Sequence, residues 1–180
     1  MRTRYKIYDN TIQFFITSTI VNWIPVFNNK QNLDALIEAL IYSQKNKEFK
    51  IINYVIMPEH FHLICMCDKL VTTIQSIKSY TAKRIIETYE KENNVMILEQ
   101  FIQSKKEHKT ESKYQVWQEG FKPKALITKS MLVQKSNYIH FNPVKRGLVN
   151  EIEDYEYSSA RDYYLLKPGR ILIDDLDYEI

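Results

Sequence analysis

FKIINYVIMPEHFHLICMC, residues 49–67, holds two apolar runs separated by Pro58-Glu59. Proline cannot donate to a strand ladder and suits a turn, so the two runs read as antiparallel strands, Phe49–Met57 and His60–Cys67, closed by a tight hairpin. The first run is apolar almost without a break, which predicts a central strand. Strand side chains alternate faces, so His60 and His62 point one way and Phe61 the other. Two imidazoles side by side on a rigid sheet make half of a metal site.

Working outward, TIQFFITSTIVNW (residues 11–23) is β-branched and aromatic and predicts another strand. Leu33, Leu36, Ile37, Leu40 and Ile41 follow the i, i+3, i+4 rule and predict an amphipathic helix over 31–46. Val71, Ile74, Ile77, Ile85, Ile86 and Tyr89 predict a longer helix over 70–92. Residues 103–113 are charged and aperiodic, an exposed loop that contains His108. YQVWQEGFKPKALI (residues 114–127) predicts a fourth strand, irregular around Gly120 and Pro123. A third helix spans 129–141, and Asn142-Pro143 is expected to end it, because the residue before proline disfavours helical geometry. The order β-α-β-β-α-β plus a helix is that of an α+β fold: a ferredoxin-like split β-α-β unit with an antiparallel sheet and two helices on one face.

The chain has 180 residues with 44% hydrophobic and 13% aromatic, enough for one well-buried core and incompatible with intrinsic disorder. Its net charge of +3 hides an asymmetry. Residues 1–149 carry 22 Lys/Arg against 13 Asp/Glu, a surplus of nine, whereas residues 150–180 carry three against nine. A basic body favours a polyanion, nucleic acid first. The expected organisation is one domain over 1–165 with an acidic tail over 166–180, whose carboxylates are candidates to lie in a basic cleft and compete with DNA. No stretch is long and apolar enough to span a bilayer, no signal-peptide core follows the basic N-terminus, and Cys65 and Cys67 fall two apart on one strand. The expectation is a cytosolic protein without a membrane partner.

The other half of a site has to come from elsewhere in the chain. In SNYIHFNPVKRGLV (residues 136–149), Tyr138 and Asn142 are four apart and share a helix face. Asn142 offers a carbonyl oxygen suited to Mg²⁺ or Mn²⁺, and Tyr138 a hydroxyl one turn away. Lys145 and Arg146 follow and can grip phosphates. A helix end capped by Asn-Pro, with Tyr138 half-buried, explains the same residues without chemistry.

MPEHFHLI, WQEGF, YIHFNPVKRGLV and DYEYSSARDY, in that order, resemble the single-tyrosine HUH transposases, in particular the REP-associated tyrosine transposases. The likeness spans roughly residues 5–165. It implies the HUH fold with an additional catalytic helix, His60 and His62 as metal ligands with Asn142 as the third, and Tyr138 as nucleophile. It also implies a divalent cation, Mg²⁺ or Mn²⁺, and single-stranded DNA with a palindromic-repeat hairpin as partner, acted on by a monomer or homodimer. Trp117, Phe121 and Ser158 fall in its other motifs; the first two are expected to pack, and Ser158 to pack or make a backbone contact. Tyr80 is the competing tyrosine, but Arg84 stands where a ligand would follow it. Glu59 and His140 are the candidate bases. Arg2, Arg4, Lys78, Lys83, Arg84, Lys122, Lys124, Lys145 and Arg146 are candidate DNA contacts. The competing expectations are a non-catalytic nucleic-acid-binding protein of the same fold and a hydrolase that uses water in place of tyrosine.

Overall fold

A computed structural model describes residues 12–106 and 112–174. Arg2, Arg4, Thr11, His108 and residues 175–180 of the acidic tail lie outside them. The elements run β1 (Gln13–Thr19), α1 (Lys30–Asn46), β2 (Lys50–Ile56), β3 (His60–Met66), α2 (Leu70–Lys91), α3 (Val95–Gln103), β4 (Lys124–Leu126), α4 (Lys129–Lys145) and α5 (Ala160–Tyr164). The four strands form one antiparallel sheet in the order β2-β3-β1-β4, the split β-α-β arrangement expected from the pattern. Polar side chains start the helices. Asn29 accepts from the Gln31 amide at α1, Asn94 from Ile97 at α3 and Thr128 from Met131 at α4.

The two faces of the sheet are packed differently. Phe61, Leu63 and Cys65 of β3 join Phe14 and Ile16 of β1 in the main core, covered by Leu33, Leu36 and Leu40 of α1 and Ile74, Ile77 and Ile85 of α2. The alternate residues of β3 point to the other face. There Ile64, with Ile52 and Val55 of β2 and Leu126 of β4, packs under Ile139 of α4 in a much smaller cluster. The register of β2 against β3 shifts between Ile51 and Asn53. Two successive residues therefore serve the α4 side: Ile52 enters the small cluster, and Asn53 reaches Ser136 and His140 of α4.

Several expectations need correcting. β2 is an edge strand, not a central one. Its continuous apolarity arises because both of its faces are packed, Ile51, Tyr54 and Ile56 in the main core and Ile52 and Val55 under α4, while the segment after α4 covers its outer edge. Val55 bridges Ser158, Ile56 N–H donates to Tyr157 O, Ser159 N–H to Tyr54 O and Asp174 N–H to Ile51 O. An exposed backbone edge is thereby paired and shielded. Ile171 is wholly buried in the main core, so the start of the expected tail is built into the fold. Gly169 is needed there, since a Cβ would meet the Tyr54 Oη at 2.5 Å and Asp162 Oδ2 at 2.8 Å.

β1 ends at Thr19, where the chain turns away over Val21–Trp23, with a 3-10 turn following at Val26–Asn28. Over 114–127 only Lys124–Leu126 is strand, and Trp117 makes an isolated bridge with Ile20. Residues 95–103 add a helix that the periodicity reading passed over, with Phe101 buried. α4 continues through Pro143 to Lys145. The proline leaves only one carbonyl without its donor this near the C-terminus, and Asn142 O still receives the Arg146 amide at 3.1 Å.

Candidate active site

β3 presents His60 and His62 on the face that α4 covers. Both are buried, and their ring centroids are 4.7 Å apart. Thr17, directly opposite His62 on β1, places Oγ1 2.7 Å from His62 Nδ1. Glu59, buried at the hairpin, places Oε1 3.2 Å from His60 Nδ1 and 2.9 Å from an Arg146 guanidinium nitrogen. Each imidazole thus spends Nδ1 on a neighbour, which orients its Nε2 toward the site. His62 Nε2 is buried and has no hydrogen-bond partner among the described residues.

Burial holds both rings neutral. The His62 pKa is lowered to about 3 by desolvation first, then by the charges of His60 and Lys135. The His60 pKa is lowered by desolvation, against the opposing pull of Glu59. A neutral imidazole with a free ring nitrogen is in the form that can ligate a metal.

Tyr138 comes from α4 and meets this pair. Its ring lies edge-on 5.2 Å from His62 and 5.9 Å from Phe15, which itself stacks on His62 at 5.4 Å. Tyr138 is 39% exposed, unlike the two histidines. The ammonium groups of Lys135 and Lys145 sit 5.0 and 5.8 Å from its centroid. Lys124, opposite Phe15 on β4, is close enough to depress the Lys135 pKa, second to desolvation. Three lysines around one tyrosine and two imidazoles suit a phosphodiester.

Asn142 is buried one turn after Tyr138 on α4. The donor set of His60, His62 and Asn142 fits a divalent cation: two neutral nitrogens, one orphaned in a buried position, and an amide oxygen. Among the described residues no group of three His, Cys, Asp or Glu could hold a metal.

Other candidates lie elsewhere. His140 faces away from Tyr138. Its Nε2 meets Asn53 Nδ2 at 3.2 Å and Ser159 Oγ at 3.0 Å, between the rings of Tyr163 and Tyr164, and burial lowers its pKa to about 4. It fastens α4 to β2. Lys83 and Arg84 are on α2, on the opposite side of the sheet from the histidines, each beside Glu87. Lys78, on the same helix, donates to Gln118 O and lies over Trp117. Tyr80 is also on α2, its hydroxyl on Glu38. Lys122 is exposed on the loop before β4. Trp117 packs on Phe27 and Phe61 and donates its indole N–H to Thr81, and Phe121 packs on the edge of the same core. Phe15, Thr17 and Lys135 were missed from sequence. The signals were there: Lys135 is three residues before Tyr138, hence on its helix face, and alternation on β1 aligns Phe15 with Thr17.

A four-stranded antiparallel sheet with paired histidines on the strand after the hairpin, faced by a helix-borne tyrosine, is the arrangement of a single-tyrosine transposase. Residues 12–142 match the IS200-like transposase family, and the chain belongs to that family. Among solved structures, a REP-associated tyrosine transposase bound to a REP hairpin shares the fold. The TM-score is 0.64 at 23% identity, over 99% of this chain and 95% of that one. A transposase from Deinococcus radiodurans is more distant, with a TM-score of 0.46 at 13% identity over 77% of this chain and 95% of that one. No curated protein matches the chain. Among the described residues no helix is long and apolar enough to cross a membrane.

Proposed function

We propose that this transposase is a metal-dependent endonuclease and transesterase of single-stranded DNA, acting at palindromic-repeat hairpins through a 5′-phosphotyrosine link to Tyr138. The observation that carries the reading is the Tyr138 ring, 5.2 Å from a histidine whose outward nitrogen is buried and unpartnered. A hairpin substrate is supported by the REP-bound relative of the same fold.

In the reaction the Tyr138 oxygen bonds to phosphorus in line with the leaving group, and the P–O3′ bond breaks. The phenolic proton passes to solvent, and the freed 3′ oxygen takes one up as a hydroxyl. The phosphodiester energy is retained in the protein–DNA bond, so another 3′-hydroxyl can reverse the step and join new ends. A divalent cation, Mg²⁺ or Mn²⁺, held by His60, His62 and Asn142, would polarise the phosphate oxygens when bound. Glu59 and Thr17 fix the imidazoles in the ligating orientation. Lys135, Lys145 and Lys124 neutralise backbone charge beside the tyrosine, and Phe15 keeps water off the inner side of His62.

Neither candidate base is free for the proton. Glu59 is bound by His60 and Arg146, and His140 is on the far side of α4. The test is incubation of the protein with a repeat-hairpin single strand and Mn²⁺, followed by intact-mass analysis. The wild type is expected to gain the mass of the 5′-phosphorylated fragment, and Tyr138→Phe to gain none. Cleavage by Tyr138→Phe with free 5′-phosphate ends would replace the reading with a hydrolase, and binding without cleavage under every metal would leave only a DNA-binding module.

A further inference from the structure

The turn after β1 is strained, and it displays a tryptophan at the mouth of the site. Asn22 and Trp23 both adopt left-handed backbone, with φ of 53° and 56°. Non-glycine residues pay roughly 1–2 kcal/mol each for that conformation. The surroundings hold them in it. Ile20 N–H donates to Glu59 O, Val21 N–H to Val116 O, and Asn22 Nδ2 to Ser104 Oγ at 3.0 Å. Ile20, Val21 and Ile24 are buried on either side. The result is a rigid pedestal with the Trp23 side chain 56% exposed, its ring 5.7 Å from His60 and edge-on to it.

An exposed indole has no reason from packing to stand on strained backbone, and strain of this kind collects at functional positions. Its chemistry fits one component of single-stranded DNA in particular. The lysines around Tyr138 serve phosphates, which are the same at every nucleotide, whereas a flat aromatic face serves a base.

We propose that Trp23 is the platform on which a base of the single strand, next to the phosphate held at His60, His62 and Tyr138, stacks during binding. This rests on the proposed single-strand substrate. Stacking on one aromatic side chain positions the strand without reading its sequence, and it registers the backbone against the nucleophile. Trp23 is a positioning residue and does no chemistry.

The chain has two tryptophans, and Trp117 is buried away from a bound strand, so quenching that is lost in Trp23→Phe reports on Trp23. The test titrates metal-free protein in EDTA with dT12, and with a 12-mer of abasic deoxyribose phosphates that carries the same charge. Expected are quenching by dT12, no quenching by the abasic strand, and none in Trp23→Phe, which retains only Trp117. Affinity for labelled dT12 should fall about tenfold in Trp23→Ala, be largely kept in Trp23→Tyr, and show no dependence on Trp23 when the strand is abasic.

Trp23→Gly separates this from a structural role. Glycine relieves the left-handed strain, so its melting temperature should equal or exceed that of the wild type while dT12 affinity falls. Unquenched wild-type fluorescence, equal quenching by the abasic strand, or wild-type affinity in Trp23→Ala would each overturn the proposal. Because these measurements need no cleavage, they stand or fall separately from the Tyr138 adduct.

Discussion

The two faces of the sheet divide the labour of the molecule. Against α1 and α2 lies an almost wholly apolar core in which Phe61, Leu63 and Cys65 have no exposed surface. Against α4 the same strand contributes His60 and His62, the apolar cluster is small, and polar links from Asn53 to Ser136 and His140 join Ile139 in holding α4. Alternation along one seven-residue strand thus separates stability from chemistry by a single residue step. Substitutions on the two faces should therefore fail in different ways.

The largest separation should appear at Tyr138. Tyr138→Phe is expected to lower adduct formation at least about a thousandfold, because Tyr138 is the tyrosine whose ring meets His62 among the described residues, with the melting temperature within a degree or two of wild type. An equal loss of stability would blur the division of faces. Phe61→Ala is the converse. It should cost about 3–5 kcal/mol in denaturant unfolding, the usual penalty for emptying a buried aromatic site. A loss under 1 kcal/mol would mean the large core is not the source of stability.

Within the α4 face, Glu59→Gln should weaken Mn²⁺ affinity about 10- to 100-fold by calorimetry, since it removes the carboxylate that orients His60. Unchanged affinity would detach Glu59 from the site.

The remaining effect is on pH. His62 and His140 are held neutral in the fold, at about 3 and about 4, whereas unfolded imidazoles ionise near 6.5. The unfolded chain therefore binds more protons between those values. Metal-free stability should be full above pH 6.5 and fall as pH drops towards 4, by at most about 1.4 kcal/mol per pH unit for each histidine. His140→Asn should flatten that fall; an unchanged slope would show that His140 is not buried neutral.

How much of this was legible in the sequence follows the same divide. The hairpin, the histidine alternation, both long amphipathic helices and the Tyr138–Asn142 spacing are local patterns, and the strand order follows from their sequence. What escaped depends on contacts between distant segments. β2 reads as central because nothing local tells that residues 157–174 return to cover its edge, and Ile171 looks like the start of a tail until it is seen beneath Tyr54. Pro143 reads as a stop because the packing of Ile139 and His140 that carries α4 past it is tertiary. The cations of α2 read as a DNA face, but the helix packs on the sheet side away from the histidines. The strain at Asn22 and Trp23 leaves no mark in a run that otherwise looks like strand.

The central claim is that the reacting tyrosine is the one on the histidine face, and it can be read from the position of the covalent link. A wild-type adduct formed with a repeat-hairpin strand and Mn²⁺, digested with trypsin and sequenced by tandem mass spectrometry, should carry the nucleotide on the peptide SNYIHFNPVK, residues 136–145, at Tyr138. A nucleotide on SYTAK, residues 79–83, at Tyr80 on the opposite face, would contradict it.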